Sequence, residues 1–197
     1  MSFKIDASQV KKLARFAADV PDAVARAEFR AVNKVAEKAT TRSKTAITGI
    51  VALTPTYVSD RMFLTRALLG KPVALITART RPTKLFTYGA KQLTAPAPRA
   101  KGDPSRGIPA GRKAAGIAAG FKAGGGKKPI PNAFLMRLRS DNGFGVFTRE
   151  GNRLRHRYGP SVDQTFRLVI SDIKDDVATD LEQTYAAQLD YELKGIK

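Results

Sequence analysis

The strongest constraint on this chain is a change of hydrophobic period. Apolar residues recur at helical spacing near both ends and alternate in twos through the middle. From Val24, the residues Ala27, Ala31, Val35, Ala39, Ala46, Ile47 and Ile50 mostly follow one another at three- and four-residue steps. That spacing predicts an amphipathic helix whose other face carries Arg26, Arg30, Lys34, Lys38 and Arg42. Most of the stripe is Ala, so a partner element can pack close. Pro21 suits the first turn of this helix, Asp22 adds a negative charge near its N-terminus, and Gly49 is a stop. Ahead of it, Val10, Leu13, Ala14 and Ala17 predict a separate short helix over Ala7 to Ala18, interrupted at Pro21. At the other end Phe166, Val169, Ile170, Ile173, Val177, Leu181, Tyr185 and Leu189 lie one turn apart and predict a helix from Val162 to Leu193. Ser161 with Gln164 three residues later has the form of a capping box.

Between these helices the punctuation is that of turns and strands. Thr54–Pro55 predicts a short helix over Tyr57 to Leu64, with Val58, Met62 and Phe63 inward. Val73, Leu75 and Thr77 alternate as a strand limited by Pro82, and Leu85, Phe86 and Tyr88 suggest an extended segment ending at Gly89. Residues 94–114 crowd Pro and Gly with Arg99, Lys101, Arg106, Arg112 and Lys113, which reads as a flexible basic loop. Strands follow at Gly116 to Ala123, around Phe134 to Leu138, at Gly145 to Arg149 and at Arg153 to Tyr158, with Asp141–Asn142–Gly143 as a hairpin turn. The expected fold class is α+β: a long N-terminal helix, a short helix, an antiparallel meandering sheet of about four to five strands, and a long C-terminal helix. The whole chain, 1–197, is expected to be a single structural domain. Residues 1–50 form its helical start, 51–160 the short helix and sheet, and 161–197 an acidic helix.

Charge divides the chain along the same lines. Residues 1–52 carry ten basic and five acidic side chains, residues 53–160 twenty-one and four, and residues 161–197 four and eight, for a net charge of +18. A middle of this sign attracts polyanions and anionic protein faces. Arg153, Arg155 and Arg157 alternate on one side of the last strand, with Arg137, Arg139 and Arg149 in the neighbouring sheet pattern. Together these predict a basic ridge suited to phosphate contact or to ion pairs with an acidic neighbour. Asp172, Asp175, Asp176 and Asp180 form the acidic counterpart on the last helix, as a solvated face or a docking face for a basic subunit.

Chemistry is sparse. Cysteine is absent and His156 is the one histidine, so disulfides, thiolate metal sites and His-rich zinc sites are excluded. Gly124–Gly125–Gly126–Lys127–Lys128 lacks the spacing and the Ser or Thr of a phosphate loop. His156 stands between Arg155 and Arg157 with no carboxylate or nucleophile locally. On a strand it faces away from both, as a structural or interface residue. No catalytic residue, metal site or cofactor is expected. Nor is a transmembrane helix, since no run of about 18 apolar residues occurs, or a signal peptide.

The motifs in order carry a resemblance. The Ala-rich helix, the Thr54–Pro55 helix, an extended pair, the Pro/Gly stretch and the Phe134–Met136 strand come first. Gly143–Phe144–Gly145–Val146–Phe147–Thr148–Arg149 then precedes Gly151, Arg153 to Tyr158 and Gly159–Pro160–Ser161–Val162. This order resembles the prophage minor tail protein Z family across nearly the whole chain. The resemblance implies a non-enzymatic virion protein made in the host cytoplasm and acting late in tail assembly at the head-proximal end. It further implies a homo-oligomeric, six-fold ring beside the tail terminator and the head–tail connector, where genomic DNA passes, and no membrane partner. The charge alone admits a second reading, a basic nucleic-acid-binding protein acting outside a virion. The acidic last helix and the lack of a nucleic-acid motif weigh against it.

Overall fold

The computed structural model describes residues 7–138 and 143–195, with side chains from residue 20 onward. Two long helices precede and follow the β region along the chain, as expected: α1 (Ala7–Ile50) and α3 (Val162–Lys194). Between them lie a one-turn helix, α2 (Pro55–Ser59), and nine short strands among the described residues. These are β1 (Met62–Thr65), β2 (Leu75–Ala78), β3 (Thr83–Lys84), β4 (Lys91–Pro96), β5 (Arg112–Ala119), β6 (Lys128–Ile130), β7 (Ala133–Arg137), β8 (Phe144–Glu150) and β9 (Arg153–Gly159). They form a β1–β2 pair, a β4–β5–β6 sheet and a β3–β9–β8–β7 sheet. The residues gather into two units: Met1–Ser43 with Met62–Thr77 and Ile170–Lys197, and Lys44–Arg61 with Ala78–Val169.

In the first unit, α1 buries Ala23, Ala27, Ala31, Val35, Ala39 and Ser43, one residue every fourth position. Arginines just before this stripe reach acids on α3. Arg42 meets Asp180 at 2.8 Å, while Arg26 (2.8 Å) and Arg30 both engage Glu192. Low numbers on one helix pair with high numbers on the other, so the helices run antiparallel here. Glu192 is only 8% exposed, and the two guanidiniums supply the countercharge its burial requires. Asn33 holds the β1–β2 hairpin to α1 by its side-chain amide. It accepts from the Ala67 N–H at 2.8 Å and donates to the Ala67 carbonyl at 3.1 Å.

Four expectations are corrected in detail. The helix does not restart at Pro21 but runs through it. Proline's fixed φ fits a helix, and the ring removes one hydrogen bond without breaking the element. Thr54 caps α2 as expected, accepting from the Tyr57 N–H at 3.3 Å, but α2 stops at Ser59. Met62–Thr65 is a strand because it pairs with β2. Val58 and Met62 are buried, whereas Phe63 is exposed. Leu85–Tyr88 is a 3-10 turn rather than extended. Three residues per turn put Leu85 and Tyr88, both buried, on one side, where an extended chain would separate them. Finally, the ends of 94–114 are strand: Thr94 pairs with Ala114, Ala95 with Lys113 and Pro96 with Arg112.

The second unit is built on a core of Leu85, Ala90, Ile117, Ala119, Ala133, Leu135 and Val146, joined by Phe121, Ile130 and Phe144. Gln92 braces its two sheets, donating to the Gly116 carbonyl (2.8 Å) and accepting from the Leu135 N–H (3.1 Å). Gly116 has φ +107 and no room for a Cβ, which would lie 2.7 Å from the Ile130 carbonyl oxygen. The C-terminal end of α1 is stitched on by Ala52 N–H to Phe121 O and Ala123 N–H to Ile50 O. Ser161 and Gln164 form the expected capping box: Gln164 N–H donates to Ser161 Oγ at 3.1 Å, and Ser161 N–H to Gln164 Oε1 at 2.9 Å. Tyr88 donates to the Pro160 carbonyl at 2.5 Å, and burial pushes its phenol up to about 12.

Register assigns the two faces of the larger sheet. The rows Leu135–Val146–Arg157 and Ala133–Thr148–Arg155 lie on the core face, and the row between them, Phe134–Phe147–His156, on the other. There the rings form a ladder. Phe134 to Phe147 is 6.5 Å between centroids, Phe147 to His156 4.5 Å and His156 to Tyr158 4.2 Å. Tyr158 Oη and His156 Nδ1 share a hydrogen bond of 2.8 Å. A Cβ on Gly145 would meet both Phe147 and His156 below 3 Å, so that position keeps the ladder closed. Burial, then the positive charge of Lys84, holds the imidazole below its ordinary value of 6.5.

Two measurements test this account. Arg26→Ala and Arg30→Ala each leave Glu192 one cation, whereas the double variant strands a buried carboxylate. Urea denaturation should show the double variant costing about 1–2 kcal/mol more than the sum of the singles; strict additivity would contradict the shared role of Glu192. For His156, acidification protonates the unfolded chain near 6.5 while the folded protein resists to lower pH, so stability falls as pH drops below that value. The Tm of the wild type should therefore decline more steeply than that of His156→Phe between about pH 7.5 and about pH 5. Parallel declines would rule the linkage out.

Candidate interaction surfaces

The strand carrying Arg153, Arg155 and Arg157 alternates as anticipated, with all three arginines on one face and His156 on the other. Glu150, at the start of the ladder opposite Arg153, turns back along this row. Its carboxylate takes Arg155 Nε at 3.0 Å and Arg157 Nη2 at 2.7 Å, and Arg157 Nε donates to Thr148 Oγ1 at 2.8 Å. Two of the three arginines are thus partly neutralised, while Arg153 stays exposed with no ion pair among the described residues. β3 pairs only with Gly159 and Tyr158, so the rest of β9 is a sheet edge. Arginines along an open edge oppose strand addition by another chain.

Two of the other sheet arginines stand apart from this row. Arg137 pairs in register with Phe144, at the end of the β7–β8 ladder away from Glu150, and β8 separates its strand from β9. Arg149 sits across from Leu154 on the aromatic face. Arg139, with the first two residues of the expected hairpin turn, lies outside the described residues.

The acidic face splits as well. Asp180 is in charge contact with Arg42, while Asp172, Asp175 and Asp176 are exposed and form no ion pair among the described residues. Glu192, which the sequence did not single out, makes the deepest acidic contact. Arg26 and Arg30 at four-residue spacing were its only signal, and their partner lies more than 160 positions away.

The Pro/Gly segment is tied into itself. Asp103 and Ile108 exchange backbone hydrogen bonds of 2.7 and 2.9 Å around a 3-10 turn at Pro104–Arg106, and Ile108 is buried. The Ser105 hydroxyl, then Arg106, hold the Asp103 carboxyl below the usual carboxylate range. Arg112 donates to Thr94 Oγ1 (2.7 Å) and to the Thr94 carbonyl (2.9 Å). Arg99, Lys101 and Lys113 are exposed and make no such contact among the described residues.

One surface escaped the sequence reading entirely. The β1–β2 hairpin turns at Gly70 (φ +79) and presents Phe63, Leu68, Leu69, Val73 and Leu75 to solvent, with Leu68 67% and Leu69 62% exposed. The same unit holds a cleft of about 350 Å³ with Ala31, Val32, Pro72, Leu181 and Tyr185 as its apolar lining and Glu28 and Glu182 as its charged lining. The alternation Val73–Leu75–Thr77 announced a strand, but not that its apolar side would lack a cover.

Among the described residues, no three His, Cys, Asp or Glu side chains converge to hold a metal ion, and no helix is long and apolar enough to cross a membrane. What the described residues present is a set of charged and apolar surfaces on two long helices and short antiparallel sheets. No curated protein and no solved structure matches the chain. The description of one family, prophage minor tail protein Z, matches residues 8–196. The match covers both long helices and every strand between them, so this chain belongs to the prophage minor tail protein Z family of phage tail proteins.

Proposed function

We propose that this chain is a non-catalytic virion component, made in the host cytoplasm. In this reading it completes the tail at its head-proximal end, as a homo-oligomeric, six-fold ring beside the tail terminator and the head–tail connector, around the path of the genomic DNA. Family membership supports the tail role. The observation that carries assembly is the apolar hairpin: two adjacent leucines at a turn tip, both mostly in solvent, are an interaction surface by their chemistry. A second copy is the occupant that fits. Lys71 beside the leucines complements Glu28 and Glu182 at the apolar cleft. The hairpin's own Pro72 lines the cleft, so the two adjoin and offer a second copy one continuous apolar surface with charge at its rim. Asp172, Asp175 and Asp176 of one copy and Arg149 and Arg153 of the next add complementary charge. His156 supports this reading: its ring stacks on Phe147, its Nδ1 shares a hydrogen bond with the Tyr158 hydroxyl, and no carboxylate among the described residues orients it as a base.

Electron microscopy of virions and light scattering of the purified protein test this reading. Rings in solution and tail-end density in particles are expected. Leu68→Glu/Leu69→Glu should shift the protein to monomer with its circular dichroism intact, since both side chains are already exposed in the single chain. A wild-type monomer that is absent from particles yet binds duplex DNA with a steep salt dependence would instead establish a nucleic-acid-binding protein acting outside the virion.

A further inference from the structure

In the second unit, four cationic side chains converge on one cavity that none of the surfaces above includes. The cavity has a volume of about 200 Å³. Its lining includes Tyr57, Arg61, Arg79, Arg81, Lys84 and Thr87, and no carboxylate. The cations come from three places in the chain: Arg61 from the junction of α2 with β1, Arg79 and Arg81 from the segment that follows β2, and Lys84 from β3. Arg61, Arg79 and Arg81 form no ion pair among the described residues. Like charges gathered around a concavity raise the local positive potential, and an anion placed there relieves their repulsion.

We propose that this cavity binds a phosphate group. It is set in place before any ligand arrives. The Arg61 guanidinium lies 3.4 Å over the Tyr57 ring and donates to the Tyr57 carbonyl at 3.1 Å, which fixes its side chain on the cavity wall. The Arg79 N–H donates to the Arg61 carbonyl at 2.8 Å, so the two arginine-bearing segments are held side by side. Planar guanidiniums match phosphate oxygens two at a time, and Lys84 adds a point charge. Thr87 adds a hydroxyl at the same wall. Phosphate suits this set better than carboxylate, having more acceptor oxygens and more charge for several donors to share. The phosphate can be that of a DNA backbone or free in solution. The inference does not depend on ring formation.

The test compares the wild-type full chain with Arg79→Gln/Arg81→Gln and with Arg81→Gln alone; both arginines are exposed, so the fold should be retained, and circular dichroism checks it. Calorimetric titration with inorganic phosphate should give saturable binding to the wild type and about tenfold or greater loss in the double variant. Titration with a short DNA duplex at several salt concentrations distinguishes the sources. A log–log salt slope shallower by about two in the double variant identifies the DNA backbone as the ligand, because about 0.9 of slope accompanies each phosphate contact. Loss of phosphate binding with an unchanged duplex slope identifies free phosphate; either result supports the site. Equal phosphate affinity and equal salt slope in the wild type and in both folded variants would falsify it. So would binding of a polyglutamate peptide by the wild type without any binding of phosphate.

Discussion

The contact on which the first unit turns is the buried carboxylate of Glu192 between Arg26 and Arg30. A carboxylate that is 8% exposed is tolerable only with its countercharge in place. That requirement fixes the relative direction and register of α1 and α3 in this unit. Arg42 with Asp180 repeats the contact twelve residues along each helix, at a rise that two antiparallel α-helices share. The small side chains of the α1 stripe are compatible with such close approach. The β1–β2 hairpin is then held through Asn33, whose amide satisfies both backbone groups of Ala67.

This changes the meaning of the charge asymmetry. A basic chain with an acidic last helix suggests two complementary surfaces waiting for each other in an assembly. Part of that complementarity is spent within one chain: Asp180 and Glu192 answer arginines of α1, and Glu150 answers two arginines of β9. Asp172, Asp175 and Asp176 on one side, and Arg149, Arg153, Arg99, Lys101 and Lys113 on the other, are among the charges that remain outward. The apolar part of the outward surface is concentrated on a hairpin whose base is anchored and whose tip is not covered.

In the second unit, strand alternation sorts chemistry onto two faces. The arginines of β9 share a face with Val146 and Leu135 but run out along a sheet edge, where charge guards against unwanted strand pairing. The histidine between them packs against Phe147 and Tyr158, and burial holds its ionisation below the ordinary value.

Read alone, the order of residues reveals the elements that depend on neighbours close along the chain. These are the α1 stripe from Ala27 to Ile47, the Ser161–Gln164 box, the Thr54 cap, the β8–β9 ladder and the opposed faces of His156 and its flanking arginines. Each follows from a repeat of about 3.6 or 2 residues, or from a side chain reaching a backbone group within one turn. It also carried the family, because the motifs stand in order over nearly the whole length. The rest emerges from contacts between segments far apart along the chain. Met62–Thr65 becomes a strand because β2 lies beside it, Leu85–Tyr88 coils because both ends must enter one core, and Pro21 stays within a helix. Glu192 becomes the countercharge of arginines more than 160 positions away, and Arg61, Arg79, Arg81 and Lys84 come to line one cavity. Pairing, burial and charge neutralisation between distant segments leave no period in the sequence, so they become visible only once the chain has folded.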